Sequence, residues 1–297
     1  MIKSYSAMIE KISCLRGSTM SVAVAQDKDI LEAVYKASAV ARVQPILFGD
    51  AREIDRLKNE IGYTGECKTI DEPDDLAATK AAVRSVHNGE ADVLMKGLVN
   101  TSDYLRAVLN KDEGLRSGKM LSHLAAFEIP GRGRMLFLSD GGFNIAPDLD
   151  EKMEILKNAL GAMRRMGYER PNVAVVTANE QVNEKAIATV HADAIAKAAS
   201  SGEFGECVVE GPIAFDVAIS KEAAHHKRID SKISGCVDLI LVPTIEVGNV
   251  LGKCLSILVG AKMAGVVLGA SAPVVLTSRS EDAESKLNSI LLAASCL

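Results

Sequence analysis

Short apolar runs rich in β-branched residues alternate along this chain with longer segments whose apolar residues recur every three or four positions. This alternation predicts parallel βαβ units and therefore an α/β protein. Several of the runs are apolar throughout, as is typical of strands buried on both faces of a sheet. The predicted strands are 20–25, 45–48, 67–70, 93–95, 135–138, 173–176, 207–210, 239–242 and 274–277, and the predicted helices are 29–41, 51–61, 74–88, 102–109, 149–166, 183–200, 247–263 and 280–294.

These strands are too many for one sheet in a chain of 297 residues, so we predict two doubly wound domains. Residues 112–134 have weak periodicity and are predicted to form a crossover between the domains. The strand near residues 273–279 is predicted to return the chain to the first domain. The first domain is thus predicted to contain residues 1–120 and 278–297, and the second residues 121–277.

The charge balance and the cysteines exclude several classes of protein. A net charge of −5 argues against nucleic acid or an anionic membrane as a partner. The six cysteines are scattered without a CxxC pair, which favours reduced thiols in a cytoplasmic protein and no metal site. Residues 1–16 lack the apolar centre of a secretion signal. The apolar stretch 254–276 contains a lysine and several glycines, which favours a buried helix and strand over a membrane span.

In open parallel sheets, ligands bind beyond the carboxyl ends of the strands, and the exit after residue 96 suits an anion. Gly97 would let a ligand approach the main chain, and Thr101 or Ser102 would cap the following helix, whose free N–H groups attract phosphate. Arg106 would either reach a phosphate or pair with Asp103, one helical turn away. A capped surface helix alone would also explain the pattern.

Three further exits combine glycine with polar residues. Asp140 and Asn144 flank a pair of glycines at residues 141–142, and residues 211–216 contain a Gly-Pro bend followed by an acidic residue. Asn249 would cap the helix that follows it, and Gly248 would let a ligand chain pass. Taken singly, the exits at Asp140 and at residues 211–216 are explained by ordinary turns.

The last strand exit places a hydroxyl and a guanidinium before an acidic helical turn. Ser278 and Arg279 would hold a phosphate or an oxyanion together with the first N–H groups of the helix. Glu281, Asp282 or Glu284 would accept a proton from a thiol. An ordinary cap with acids that complement the helix dipole explains the same residues equally well.

As an ordered set, these exits resemble the phosphate acetyltransferase and butyryltransferase family over nearly the whole chain. The motifs that carry the resemblance are Met95-Lys96-Gly97 with Thr101 to Arg106, Asp140 through Asn144 to Pro147, Glu210-Gly211-Pro212 with Phe215-Asp216, Val242-Pro243 with Gly248-Asn249, and Pro273 with Ser278-Arg279.

The residues before Ser278 favour the butyryl branch of this family. The acetyl branch usually has Asn-Asp-Leu there, whereas this chain has Val-Leu-Thr at 275–277. The acetyl branch also carries an aspartate, proposed as the base, at the spacing where this chain has Ser285. Glu284 is the nearest substitute, with Asp282 as the other candidate.

The resemblance implies a fold like that of isocitrate dehydrogenase, with a cleft between the two domains, and a homodimer or higher homo-oligomer. It implies acyl-CoA, phosphate and acyl phosphate as substrates, with no metal, no tightly bound cofactor and no covalent acyl-enzyme. Ser278 and Arg279 would then be catalytic. The residues expected to hold coenzyme A or phosphate are Lys96, Gly97, Thr101, Ser102, Arg106, Asn144, Gly248 and Asn249.

Three alternatives remain. A phosphate acetyltransferase would differ only in acyl preference. A nicotinamide-dependent decarboxylating dehydrogenase would need a pair of metal-binding aspartates on a helix, and no such pair stands out in the sequence. A regulatory protein that binds coenzyme A without turnover would not need Ser278 and Arg279, both of which are present.

Overall fold

The structure is a computed structural model that describes residues 2–277 and 281–297. The chain folds into two compact units. We call Ser4–Lys119 with Met263–Leu297 the first unit, and Met1–Lys3 with Met120–Lys262 the second unit. Residues 263–277, which the sequence placed in the second domain, thus fall in the first unit. The limits of the two predicted domains, residues 1–120 with 278–297 and residues 121–277, stay a prediction.

In the first unit the strands follow the order β3-β2-β1-β4-β11-β10. Its described strands are β1 Ser18–Ala23, β2 Val43–Gly49, β3 Lys68–Asp71, β4 Val93–Lys96, β10 Lys262–Leu268 and β11 Val274–Val275. Its described helices are α1 Tyr5–Ser13, α2 Lys28–Ala41, α3 Ala51–Glu60, α4 Asp75–His87, α5 Thr101–Val108 and α11 Ala283–Ser295. The strands run parallel except β10, which is antiparallel to β11.

In the second unit the strands follow the order β5-β6-β9-β7-β8. Its described strands are β5 Ser122–Glu128, β6 Met135–Ser139, β7 Asn172–Thr177, β8 Val208–Ala214 and β9 Leu239–Leu241. Its described helices are α6 Leu149–Arg165, α7 Ile187–Ser200, α8 Phe215–Ile219, α9 Lys221–His226 and α10 Ile245–Lys253, and α10 continues as a π-helical turn, Cys254–Leu258. Here β5 is antiparallel to β6, and the other pairings are parallel.

Aspartate caps explain where most of the long helices begin. The carboxylates of Asp27, Asp50, Asp74 and Asp282 each accept a hydrogen bond from a main-chain N–H in the first turn of α2, α3, α4 and α11. In α6 the cap is a capping box, because the Asp148 carboxylate accepts from the N–H of Glu151 and the Glu151 carboxylate accepts from the N–H of Asp148. These caps fix the residue at which each of the five helices begins.

The predicted helix 247–263 is wrong in its second half. The α-helix ends at Lys253, the π-helical turn ends at Leu258, and Gly260 has a φ of +71° that stops the helix. Residues 262–268 form β10 instead, because a continuous apolar run fits a buried strand as well as a helix. No helix in the described residues is long and apolar enough to cross a membrane.

Candidate active site

Gly97 brings the exits of β1 and β4 into contact. Its N–H donates to the carbonyl of Ala23 at 2.8 Å, and the N–H of Leu98 donates to the carbonyl of Val24 at 2.8 Å. A Cβ on Gly97 would lie 2.1 Å from the Val24 oxygen and 2.3 Å from the Ala23 oxygen. Only glycine fits here, because the main chain of β1 lies against it, and the predicted approach of a ligand to Gly97 stays a prediction.

Val24 adopts a left-handed main-chain conformation at this contact, with φ at +56°. A β-branched residue rarely adopts that conformation, and strained residues of this kind cluster at functional sites. The side chain of Val24 is fully buried, and its carbonyl is held by Leu98. Packing and hydrogen bonding therefore hold the strained exit of β1 against β4.

Helix α5 begins at Thr101, but its N-cap residue is Asn100, with no side-chain cap hydrogen bond. The prediction that Thr101 or Ser102 caps this helix is therefore wrong, because both residues lie inside its first turn. Both are exposed. The first N–H groups of a helix have no partner within the helix, so this turn still offers donors to an anion.

Two cations lie at this strand exit in different environments. Lys96 is buried, and its Nζ donates to the carbonyl of Gly97 at 3.2 Å. Arg106 is exposed, and its Nη1 donates to the Asp103 carboxylate at 2.8 Å. Of the two interpretations of Arg106, the structure therefore shows the ion pair, and phosphate binding by Arg106 stays a prediction.

Strand β11 leads to the same sheet edge as β4. The two strands are parallel, with Val274 opposite Leu94 and Val275 opposite Met95. The chain therefore leaves β11 beside Lys96, and Thr277 is buried there. The predicted catalytic residues Ser278 and Arg279 follow directly in sequence, and they lie outside the described residues.

The two candidate bases occupy the start of α11. The Asp282 carboxylate accepts from the N–H of Ser285 at 2.8 Å, and this hydrogen bond lowers the pKa of Asp282. A carboxylate with a lowered pKa is a weaker proton acceptor. Glu284 is exposed in the first turn and does not cap the helix, which makes it the better candidate.

Asp140 organises the exit of β6 in the second unit. Its buried carboxylate accepts hydrogen bonds from the N–H groups of His123, Gly142 and Phe143, at 2.9–3.0 Å. It also accepts from Nδ2 of Asn144 at 2.6 Å. The same Nδ2 donates to the carbonyl of Leu121. Asn144 thus has a visible role in holding the loop, and its contact with a substrate stays a prediction.

Gly248 lies against Gly141 at this exit. A Cβ on Gly248 would lie 2.5 Å from the Gly141 Cα and 3.0 Å from the Asp140 oxygen. Asn249 donates to the Gly141 carbonyl at 3.5 Å. Both Gly248 and Asn249 lie inside α10, so the prediction that Asn249 caps a helix beginning at residue 250 is wrong.

The third motif of the resemblance has a structural role in the second unit. The Glu210 carboxylate accepts from Oγ of Ser231 at 2.5 Å and from the N–H of Lys232 at 2.7 Å. Asp216 forms an ion pair with Lys227. These contacts tie the loop before β9 and the end of α9 to β8 and α8, so the motif stabilises the fold around the site.

Three residues that lie at these exits were not predicted from the sequence. They are His123 at the start of β5, and the buried lysines Lys152 and Lys286 at the starts of α6 and α11. His123 lies in the segment 112–134, which the sequence predicted to be a crossover without a strand. Nothing in the sequence distinguishes the two lysines from surface lysines. No group of three or more His, Cys, Asp or Glu that could hold a metal is present in residues 2–277 and 281–297.

Residues 76–294 match the model of the family described as Phosphate acetyl/butaryl transferase. The chain belongs to this family. It is 44% identical to the phosphate butyryltransferase of Clostridium acetobutylicum over 99% of this chain and 98% of that protein. It is 39% identical to the phosphate acetyltransferase of Thermotoga maritima over 94% of this chain and 95% of that protein.

A solved structure of another family member has the same fold. The branched-chain phosphotransacylase from Enterococcus faecalis V583 matches with a TM-score of 0.82 and 34% identity, and the match covers 94% of this chain and 98% of that one. The predicted α/β fold class and the predicted family are both confirmed. The predicted site residues stay a prediction.

Proposed function

We propose that this protein is a phosphate butyryltransferase, which transfers a short-chain acyl group reversibly between coenzyme A and inorganic phosphate. The observation that carries this proposal is the 44% identity with a relative of that name over nearly the whole of both chains. The match of residues 76–294 to the family model supports it as well.

Coenzyme A and acyl phosphate bind together, and no acyl-enzyme forms. The sulfur attacks the acyl carbonyl, so a carbon–sulfur bond forms while the bond from the acyl carbon to the phosphate oxygen breaks. The thiol proton passes to a carboxylate, and inorganic phosphate leaves. In the reverse direction a phosphate oxygen attacks the thioester, and the thiolate leaves and takes the proton. Holding the two reactants together supplies much of the rate acceleration.

Glu284 is our proposed base for the thiol. A free thiol has a pKa of about 8.5 and is mostly protonated at neutral pH, so a nearby carboxylate accelerates the attack. Asp282 is the weaker candidate, because the hydrogen bond from Ser285 that makes it a helix cap also lowers its pKa.

Ser278 and Arg279 are our proposed catalytic pair. A guanidinium binds the oxygens of a phosphoryl group in a bidentate manner and stabilises charge that develops in the transition state. The residues that we propose to hold coenzyme A or phosphate are Lys96, Gly97, Thr101, Ser102, Arg106, Asn144, Gly248 and Asn249.

Phosphate acetyltransferase is the second candidate, and the 39% identity with the Thermotoga maritima enzyme favours it. The two candidates differ in acyl length. The sequence Val-Leu-Thr at 275–277 supports the butyryl assignment.

We also propose a homodimer or a higher homo-oligomer in the cytoplasm. A surface formed by Val247, Val250, Ile257, Leu258 and Val259, which we call the α10 apolar surface, is exposed; Ile257 and Leu258 are 75% and 80% exposed. Contiguous exposed apolar residues are typical of protein interfaces. All six cysteines are free thiols, which suits a reducing compartment.

A thiol-release assay with phosphate and acetyl-, butyryl- or branched acyl-CoA tests the function. We expect the highest kcat/KM with butyryl-CoA or a branched analogue. Preference for acetyl-CoA would favour the second candidate. Binding of coenzyme A without turnover of any thioester would instead identify the regulatory protein.

Arg279→Ala tests the proposed catalytic pair in the same assay. We expect a loss of at least about 100-fold in kcat/KM, the scale of one transition-state donor. Arg56→Ala is the control, since Arg56 forms surface ion pairs with Glu53 and Glu60 on α3. Near-normal turnover of Arg279→Ala would remove Arg279 from the mechanism.

A further inference from the structure

His123 is fixed by its main chain at the exit of β6. Its N–H donates to the Asp140 carboxylate at 3.0 Å, and its carbonyl accepts from Oγ of Ser139 at 2.8 Å. Strand β5 runs antiparallel to β6, with Ala125 opposite Leu138. The start of β5 therefore lies at the carboxyl end of β6, where ligands collect in sheets of this class.

The imidazole of His123 lies against Gly142. A Cβ on Gly142 would be 3.1 Å from Cγ and 3.2 Å from Nδ1 of the ring. Nδ1 is buried and has no hydrogen-bond partner in the part of the chain that the structure describes. The residue as a whole is only half-buried, and Nδ1 is the ring nitrogen enclosed without a partner, so Nε2 is the one that can meet a ligand.

Burial lowers the pKa of His123, although Asp140 opposes this effect, and the lowered pKa favours the neutral ring. A neutral imidazole carries its proton on one nitrogen only. An unpaired N–H is costlier to bury than an unpaired lone pair, since orphaned buried donors are rarer in proteins. We therefore assign the proton to Nε2, which leaves Nδ1 with its lone pair.

We propose that His123 is a further catalytic residue, whose Nε2–H donates a hydrogen bond to the carbonyl oxygen of the acyl group being transferred. A neutral donor suits this oxygen better than a phosphate oxygen, because full negative charge appears on the carbonyl oxygen only in the transition state. The inference rests on the proposed function.

No proton moves in this step. As the nucleophile bonds to the acyl carbon, the π electron pair of the carbonyl moves onto its oxygen, and the hydrogen bond from Nε2 strengthens. As the leaving group departs with its own bonding pair, the carbonyl re-forms. A donor that acts mainly in the transition state raises kcat and has little effect on KM.

Three substitutions at His123 test the inference in the thiol-release assay with butyryl-CoA and phosphate. His123→Gln places an amide donor near the position of Nε2, whereas His123→Asn places its amide near Nδ1, and His123→Ala removes both. We expect kcat to fall about 100-fold or more in the alanine and asparagine variants, with KM changing less than about threefold, and the glutamine variant to recover at least about tenfold.

His87→Ala is the matched control, since Nδ1 of His87 bonds the carbonyl of Gly114 in the first unit. Thermal unfolding and coenzyme A binding check that each variant is folded. Near wild-type kcat in His123→Ala and His123→Asn, or equal losses in the glutamine and asparagine variants, would overturn the inference. A wild-type protein that turns over no thioester would instead overturn the proposed function.

Discussion

Lys152 and Lys286 occupy the same position in two different helices. Each lies four residues after an aspartate N-cap, Asp148 or Asp282, and each Nζ donates to the carbonyl of the residue before that cap. Both lysines are buried, and Lys286 also lies 3.5 Å from the Asp29 carboxylate. A cation near a helix N-terminus is unfavourable with the helix dipole, and in both helices the hydrogen bond from Nζ to a carbonyl offsets this cost.

Replacing either lysine by methionine should destabilise the protein. The variants Lys152→Met and Lys286→Met each remove the hydrogen bond from a buried ammonium group to a carbonyl, which costs about 1–3 kcal/mol. The double variant should lose the sum of the two, because the residues share no partner. Urea unfolding measures the loss in the free energy of unfolding for each variant. We expect Lys286→Met also to lose turnover, because its turn follows Ser278 and Arg279 in sequence. Wild-type stability of either variant would contradict the structural role.

Gly97→Ala should unfold the exit of β4 or displace it from β1. The new methyl would lie 2.1 Å from the carbonyl oxygen of Val24, and a main-chain atom cannot move aside as a flexible side chain can. We expect a loss of about 2 kcal/mol or more and a large loss of turnover. Gly161→Ala in α6 is the control, because nothing lies within 4 Å of its Cβ, and it should stabilise the helix by up to about 1 kcal/mol.

Equal stability of wild type and Gly97→Ala in thermal unfolding would show that the close contact with β1 is not required. The left-handed conformation of Val24 makes the test sharper, since the main chain there is already strained.

The sequence predicted most of the parallel strands and the helix starts because their signals are local. An apolar β-branched run followed by an aspartate cap marks both the end of a strand and the start of a helix. The two antiparallel strands, β5 and β10, escaped prediction for different reasons. Residues 122–128 lie in a segment of weak periodicity, and residues 262–268 belong to a continuous apolar run that a buried helix would also produce.

The candidate site was predictable only where a single residue carries the signal. Gly97 and Gly248 stand out in the sequence because a glycine directly after a buried strand or within a helix is unfavourable unless a close contact requires it. The hydrogen bond from the N–H of His123 to Asp140 depends on strand β5, which the sequence did not predict. The position of His123 beside Asp140 was therefore not predictable. The prediction that Thr101 or Ser102 caps α5 was wrong, because the N-cap residue is Asn100, which makes no side-chain cap hydrogen bond.

The two acidic candidates at α11 should respond differently to amide substitution. Glu284→Gln removes our proposed base and should lower kcat about 100-fold, whereas Asp282→Asn keeps the helix cap and should change kcat less than about threefold. The opposite ranking of the two variants would assign the base to Asp282.

The helix cap at Asp282 should also make the free energy of unfolding depend on pH. Its pKa is lowered in the folded protein, because the N–H of Ser285 donates to the carboxylate. The cap therefore stabilises the fold fully above the ordinary pKa of an aspartate, about 3.9, and this contribution is lost as the pH falls through the lowered value. Asp282→Asn should reduce the acid dependence of unfolding in this range, and an unchanged dependence would contradict the contribution.

Charges on the α10 apolar surface should separate the proposed homo-oligomer. Ile257→Asp with Leu258→Asp places two carboxylates where two exposed apolar side chains now stand, and burial of either charge in an interface is strongly unfavourable. We expect sedimentation velocity to show a smaller species than the wild type. Leu76→Asp is the control, since Leu76 is an isolated exposed side chain on α4 of the first unit. A double variant that sediments like the wild type would place the subunit contact elsewhere.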